Sequence, residues 1–189
     1  MEYFKLKFTI HDFCRGSLAP NRQAYSEISS LISKARRRSP KGEYTLSIDD
    51  LQFDLQHCLA IWLPSYTKYD AKHGEQLSAF FRQRLWVGVE LHFLSYDQQQ
   101  YLHCEQLSRK LNLPMVACND VHMHHKNYKP LQDTLTAIRL NITVQALTKS
   151  RQINAERYLK PESILRHQYP SVLFRRVNSY CQIMHIFNK

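Results

Sequence analysis

The amino-acid sequence predicts an α/β domain with a largely parallel sheet. Three short apolar runs, each typical of a buried strand, alternate with longer segments whose apolar residues recur at helical spacing. A chain that alternates strands and helices in this way forms βαβ units, in which the strands run parallel. With 189 residues and 43% apolar content, the chain is long enough for one domain with its own core.

The first predicted helix covers residues 22–38, where apolar side chains recur at steps of three and four. Its last turn is strongly basic and meets the negative end of the helix dipole, and a proline follows shortly after it. Arg36, Arg37 and Arg38 therefore have two interpretations. They form a charged helix terminus or, together with Lys41, a patch that contacts nucleic-acid phosphates.

The alternation of strands and helices continues through the middle of the chain. Apolar runs predict buried strands at residues 58–63, 86–91 and 113–119. Helical spacing predicts one helix at residues 75–85 and a second helix for which Ser95 is a candidate N-cap. This order of elements is the basis for the predicted parallel sheet.

Further elements are predicted toward the two ends of the chain. Residues 1–10 alternate partly, which favours a strand, and Ser47 is a candidate N-cap of a short helix. Residues 129–140 and 161–169 have helical patterns, and the first of them opens with a proline in its first turn. One face of the helix at residues 129–140 carries Leu131, Leu135 and Ile138.

Charge and cysteine content narrow the functional class. The formal net charge is +10, from 26 Lys and Arg against 16 Asp and Glu, which fits either contact with a polyanion such as DNA or a solvated basic surface. The five cysteines include no C-x-x-C pair, which argues against a structural zinc or redox motif and favours a reduced, cytoplasmic protein. The sequence shows neither a signal peptide nor an apolar segment long enough to cross a membrane.

The stretch VACNDVHMHHKNY, residues 116–128, concentrates candidate metal ligands. Asp120 and His122 follow a predicted strand directly, and in an extended segment residues i and i+2 point to the same side. Ligands collect at the carboxyl ends of parallel strands, so this carboxylate and imidazole are a candidate half-site for Zn, Mn or Fe. The alternative is that Asp120 caps the next turn and that the histidines are exposed loop residues.

Other ligands would have to come from elsewhere in the fold, because zinc takes three or four. Glu90 lies at the carboxyl end of another predicted strand and is a weaker candidate ligand, with a buried salt bridge as its equal alternative. His124 is also a weaker candidate, and we expect His125 to lie at the surface.

Longer segments of the sequence resemble a known domain. LPMVACNDVHMHHKNYKPLQDTLTAIR and NAERYLKPESILRHQYP, with NRQAYSEISSLISKARRRSPKGEYTLSIDDL and CLAIWLP upstream, are similar to the PHP (polymerase and histidinol phosphatase) domain of bacterial C-family DNA polymerases. Within that family the resemblance is to the error-prone type. It covers residues 18–170 as a partial PHP-like domain, between a poorly matched segment at residues 1–17 and a divergent tail at residues 171–189.

The resemblance implies a partial distorted (β/α) barrel with mostly parallel strands and a metal cluster at one end. It makes Asp120 and His122 metal ligands, with Zn, Mn or Mg as the cofactor. Some family members have metal-dependent 3′–5′ exonuclease activity, others keep the domain as a structural module, and the error-prone type is linked to SOS-induced translesion synthesis. The implied partners are DNA and other polymerase or repair subunits, without membrane contact.

The chain also departs from the family pattern, since the early H-x-H ligands and the carboxylates of the polymerase palm are absent from it. We therefore expect a fragment of an error-prone DNA-directed DNA polymerase, a nucleotidyltransferase of DNA replication and repair. The fragment covers the later part of the PHP domain and is inactive in polymerisation alone. The alternatives are a stand-alone metal-dependent phosphoesterase or 3′–5′ exonuclease, and a non-catalytic module that binds DNA or a polymerase.

Overall fold

The structure of the chain, a computed structural model, describes residues 17–41, 45–46, 50–51, 55–148 and 150–174. The strands of its sheet are β1 (Ser17–Leu18), β2 (Leu59–Trp62), β3 (Leu85–Glu90) and β4 (Met115–Cys118). They lie in the order β1-β2-β3-β4, with β2, β3 and β4 parallel and β1 antiparallel to β2. The predicted α/β class with a parallel sheet is confirmed. The strand predicted at residues 1–10 and the cap predicted at Ser47 lie outside the described residues.

The helices connect and cover these strands. They are α1 (Arg22–Arg37), α2 (Asp70–Phe81), α3 (Asp97–Leu111), α4 (Lys129–Leu140) and α5 (Glu162–Gln168). α2 joins β2 to β3 and α3 joins β3 to β4, so the two helices are the crossovers of consecutive βαβ units. They pack against each other and against β3. None of the helices that the structure describes is long and apolar enough to cross a membrane.

The position of each strand in the sheet decides its burial. β3 has neighbours on both sides, with Trp86 paired with Ile61 and Gly88 with Val116, and it is buried from Leu85 to Val89. β4 has one neighbour within the described sheet and is half-buried along its whole length. The prediction of a fully buried strand at residues 113–119 is therefore wrong in its burial, although the strand itself is confirmed.

The helix predicted at residues 22–38 is confirmed as α1. Its N-cap is Asn21, whose side-chain oxygen accepts a hydrogen bond from the Ala24 N–H at 2.9 Å. The face that carries Ala24, Leu31 and Ala35 is buried in the core.

α2 differs from its predicted range at both ends. It begins at Asp70, before the predicted start at residue 75, because the Asp70 carboxylate accepts hydrogen bonds from the N–H groups of Ser65 and Thr67 at 3.2 and 3.1 Å. These bonds fold the preceding loop onto the first turn of the helix. α2 ends at Phe81, and a short 3₁₀ turn leads into β3, so the predicted end at residue 85 is too late.

α3 is confirmed, but Ser95 is not its cap. The N-cap position is Tyr96, which makes no side-chain capping bond. Asp97, in the first turn, accepts a hydrogen bond from the His92 N–H at 2.8 Å and ties the loop after β3 to the helix.

α4 and α5 confirm the two helices predicted after the histidine-rich stretch. The apolar residues of α4 face solvent, however, since Leu131, Leu135 and Ile138 are 51%, 53% and 70% exposed. The side of α4 that is buried instead carries Asp133 and Ala137.

The core joins residues of α1, α2, α3, β2 and β3 with Tyr169 and Leu173 from the later part of the chain. Two cysteines belong to it, Cys58 and Cys104, and both are completely buried. Burial raises the pKa of the Cys58 thiol to about 12 and that of Cys104 to about 11, so both thiols are protonated at neutral pH.

A substitution at Gly74 tests how closely α2 packs on the sheet. A methyl group at this position would lie 2.6 Å from Cζ3 of Trp62 on β2 and would overlap Leu111 of α3. Replacing an exposed helical glycine with alanine stabilises a helix by about 1 kcal/mol. At Gly74 the overlap with Trp62 and Leu111 outweighs this gain, so the substitution should destabilise the protein. We expect Gly74→Ala to lower the free energy of unfolding by about 1–3 kcal/mol, measured by urea denaturation.

Ala79→Ser is the matched control for this change, because it also adds a single heavy atom to α2, but at an exposed position. At this exposed position the free energy of unfolding should change only by the difference in helix propensity between alanine and serine, about 0.5 kcal/mol. A Gly74→Ala protein as stable as the parent would contradict the close approach of α2 to Trp62.

Candidate functional site at the carboxyl ends of β3 and β4

The carboxyl ends of β3 and β4 lie side by side, because the strands are parallel and Glu90 pairs with Cys118. Glu90 is the last residue of β3, and Asp120 and His122 follow the end of β4. Asp120 has a left-handed backbone, with φ of 39°, so the chain turns away from the strand direction there. The structure thus places all three predicted residues at the carboxyl-terminal edge of the sheet, where β3 and β4 end. This region is called the sheet edge.

Asp120 and His122 contact each other, with His122 Nε2 3.1 Å from Asp120 Oδ2. The same carboxylate oxygen also contacts Nη1 of Arg157. The side chains of Asp120 and Arg157 are 7% and 22% exposed, so this ion pair is largely shielded from water. Since a buried carboxylate is costly without a positive partner, the contact with Arg157 favours the burial of Asp120.

The backbone around Arg157 is fixed to the segment that follows β4. Met123 and Tyr158 form a parallel bridge, and the N–H groups of His122 and Met123 donate to the Arg157 carbonyl oxygen at 2.8 and 3.2 Å. The Asn119 side-chain amide donates to the Tyr158 carbonyl oxygen at 2.6 Å. Arg157 is therefore held beside Asp120 by its own backbone as well as by its charge.

Glu90 lies next to a second buried histidine. His92 Nε2 is 4.0 Å from Glu90 Oε2, and His92 is 3% exposed. Within the described part of the chain, neither ring nitrogen of His92 has a hydrogen-bond partner. Burial, together with the positive charges of Arg157 and Lys160, lowers the pKa of His92 to about 4. The ring is neutral at pH 7, so His92 does not supply a positive charge to Glu90.

A tyrosine from the later part of the chain ties the two strand ends together. The Tyr169 hydroxyl accepts a hydrogen bond from the Leu91 N–H at 3.0 Å and donates to the Cys118 carbonyl oxygen at 2.5 Å. Burial raises the pKa of this hydroxyl well above its usual range, so it remains a donor at neutral pH. The edge of the sheet is thus closed by segments that follow α4.

The other two histidines of the stretch make local contacts at the surface. His124 is exposed, and its ring centroid lies 4.3 Å from that of Tyr128. His125 is exposed, and its ring nitrogen Nδ1 accepts a hydrogen bond from the Asn127 N–H at 3.2 Å. The structure places His125 where it was predicted, and it gives His124 an aromatic neighbour.

A metal at this edge is implied by the family resemblance, and the residues of the edge do not fit one as they are arranged. A zinc site takes three or four ligands. Among the residues that the structure describes, no three His, Cys, Asp or Glu side chains come together at a spacing that would hold an ion. In addition, the Asp120 oxygen that contacts His122 already contacts the guanidinium of Arg157.

Sequence reasoning found half of this edge and missed the rest. His92 stands two residues after Glu90, the same spacing as Asp120 and His122, so the sequence contained a signal for it. Arg157 had no comparable signal, because its contact with Asp120 joins distant parts of the chain without any periodicity.

The basic patch predicted at the end of α1 is divided between two roles. Arg38 makes two hydrogen bonds to the buried carboxylate of Asp50, at 2.9 and 2.7 Å, and Lys34 lies 3.1 Å from the same carboxylate. Arg37 and Lys41 are exposed at the surface. The charged terminus of α1 therefore anchors Asp50 and also presents cations to solvent.

A second buried carboxylate lies on α4. Asp133 is 3% exposed and contacts Lys129 Nζ at 2.8 and 3.0 Å and Arg151 Nε at 2.9 Å. Burial opposes ionisation of Asp133, but the hydrogen bonds and charges of these two cations outweigh it and lower its pKa. This cluster fixes the segment around Arg151 to α4.

Comparison with known proteins gives a consistent result. No family model matches the chain. It is 43% identical over 168 residues to the error-prone DNA polymerase of Saccharophagus degradans and 45% identical over 150 residues to that of Vibrio vulnificus. Against that of Methylococcus capsulatus it is 41% identical over 157 residues. These matches cover 88%, 79% and 82% of the chain, but it spans only 16%, 14% and 15% of the relatives.

The Asp133 cluster predicts an acid-dependent loss of stability. A carboxylate whose pKa is lower in the folded than in the unfolded chain stabilises the fold above its unfolded pKa, and this contribution is lost as the pH falls through the folded value. We expect Asp133→Asn to lower the free energy of unfolding at pH 7 by about 1–3 kcal/mol, because Lys129 and Arg151 lose their partner. Below a pH of about 4 the difference from the parent should shrink.

Denaturation at a series of pH values measures this effect. Glu75→Gln is the control, since Glu75 forms a largely exposed ion pair with Lys110 and should contribute less than about 0.5 kcal/mol. The interpretation of Asp133 is wrong if the difference between Asp133→Asn and the parent does not depend on pH.

Proposed function

The chain is a homologue of one segment of the error-prone DNA polymerases, and on that premise we propose that it is a PHP-like module that does not polymerise DNA alone. The sequence identity of 43% over 88% of the chain is the observation that carries this proposal. In it, the module contributes to translesion synthesis by contacting DNA and other polymerase or repair subunits.

The parallel sheet supports the barrel part of the proposal. β2, β3 and β4 alternate with α2 and α3, and this βα repeat is the unit from which (β/α) barrels are built. In such barrels the functional groups lie at the carboxyl ends of the strands, which is where Glu90 and Asp120 are placed. We therefore propose a partial distorted (β/α) barrel of the PHP type.

Chemical requirements argue for a non-catalytic role. Two-metal phosphoryl transfer needs carboxylates that hold two ions about 4 Å apart. In the described part of the chain, no group of three His, Cys, Asp or Glu side chains has such an arrangement. Asp120 is instead paired with Arg157. This pairing favours a structural role for the sheet edge.

Surface charge supports contact with DNA. The chain has a net charge of +10, and Arg37 and Lys41 are exposed near the end of α1. Arg38 is held by Asp50, yet its side chain remains 45% exposed. Side chains of this kind neutralise phosphates and release counter-ions, so that binding weakens as salt is added.

Salt dependence tests the contact with DNA. We expect affinity for a fluorescently labelled duplex, measured by anisotropy, to fall about 40- to 150-fold between about 50 and 200 mM salt, as for three or four phosphate contacts. Arg37→Ala combined with Lys41→Ala should reduce the slope of log affinity against log salt by about two. Arg166→Ala, which removes a guanidinium paired with Glu162, is the control and should affect the slope less. An affinity that is insensitive to salt would rule out this electrostatic contact.

A metal-dependent phosphoesterase or 3′–5′ exonuclease is the second candidate, because Asp120 and His122 do converge. On the main proposal, the chain incubated with Mn²⁺ or Mg²⁺ should neither extend a primer nor shorten a labelled 3′ end. His125→Ala, at an exposed histidine, serves as the control. Release of nucleotides that requires Mn²⁺ and disappears in Asp120→Ala would establish the second candidate in place of the first.

A further inference from the structure

We infer that Arg157 is the resident cation of the sheet edge: its guanidinium takes the place of a metal at Asp120 and makes the folding of this edge independent of divalent ions. The inference does not depend on the proposed function, since it concerns only how the edge is held together.

The first argument is the environment of Asp120. Its side chain is 7% exposed, and one carboxylate oxygen contacts both Arg157 Nη1 and His122 Nε2. A guanidinium keeps its charge at every physiological pH and donates hydrogen bonds in a fixed planar geometry, as a carboxylate requires. Arg157 therefore supplies the charge that a bound cation would otherwise supply.

The second argument is that the backbone places Arg157 at this position. The Arg157 carbonyl oxygen accepts hydrogen bonds from the N–H groups of His122 and Met123, and the Leu159 N–H donates to the Met123 carbonyl oxygen at 2.9 Å. Tyr158 bridges Met123 between these bonds. The guanidinium is thus attached to a segment that is itself paired with the segment carrying Asp120 and His122.

The third argument is the surrounding charge. Lys160, on the same segment, has a completely buried side chain and contacts Glu156 at 3.1 Å and Gln168 at 2.7 Å. The segment at residues 157–160 thus carries two cations of its own, and Arg157, the one in contact with Asp120, would repel a divalent ion there.

The arrangement predicts what removal of the guanidinium does. Arg157→Met keeps much of the aliphatic stem of the side chain but removes the guanidinium that contacts Asp120. We expect its melting temperature to fall by about 4–10 °C, whereas Arg109→Met, at an exposed pair with Glu105, should melt within about 2 °C of the parent. Asp120→Asn should add little to the loss when it is combined with Arg157→Met, because the two residues form one pair.

The experiment is thermal unfolding of the full chain and of these variants, each with EDTA and with MnCl₂, together with calorimetric titration of Mn²⁺. The inference requires that the parent melts at the same temperature in EDTA and in Mn²⁺ and takes up no stoichiometric Mn²⁺. It is overturned if the parent binds Mn²⁺ in a manner that Asp120→Asn abolishes, or if Arg157→Met melts like the parent.

A charge-conserving variant covers the case in which Arg157→Met does not fold. Arg157→Lys keeps the positive charge without the planar donor geometry. It should fold and melt below the parent but without any response to EDTA. A melting temperature of Arg157→Lys that is higher in Mn²⁺ than in EDTA would contradict the inference.

Discussion

Parallel pairing of β3 with β2 on one side and β4 on the other is the constraint on which the rest of the structure depends. It buries β3 along most of its length, and it forces α2 and α3 to cross over the sheet. It also brings the carboxyl ends of β3 and β4 together at the sheet edge, where the backbone hydrogen bonds between the two strands end. That edge is closed by side chains from the segment after α4, including Tyr169 and Arg157.

Excess positive charge in this chain has a structural use. Three of the aspartates whose side chains are largely buried are held by Lys or Arg from another part of the sequence or from an adjacent turn. The pairs are Asp50 with Lys34 and Arg38, Asp133 with Lys129 and Arg151, and Asp120 with Arg157. Buried pairs of this kind are costly to break on one side and so connect segments that share few apolar contacts. Part of the positive charge of the chain is therefore paired with buried carboxylates, although Arg38 and Arg151 remain partly exposed.

Local pattern predicted the elements well, because strands and helices leave periodic signals. The parallel strands, α1, α3 and α4 were all predicted from spacing, and Asp120 was placed beside His122 by the i and i+2 rule. Errors arose where a long-range contact decides the outcome. The start of α2 depends on a loop that folds onto Asp70, and the half-buried state of β4 depends on its place in the sheet. Arg157 could not be assigned to Asp120, since charge pairing between distant residues follows no period.

The two core cysteines can be used to measure how often the core opens. Cys58 and Cys104 are completely buried, and their raised pKa values keep them as thiols, the form that reacts poorly with alkylating reagents. Alkylation at these two positions therefore requires the core to open first. When closing is faster than the chemical step, the rate of modification reports the free energy of that opening. Cys58 follows α1 and Cys104 lies on α3, so the two rates distinguish loosening of one helix from unfolding of the whole sheet.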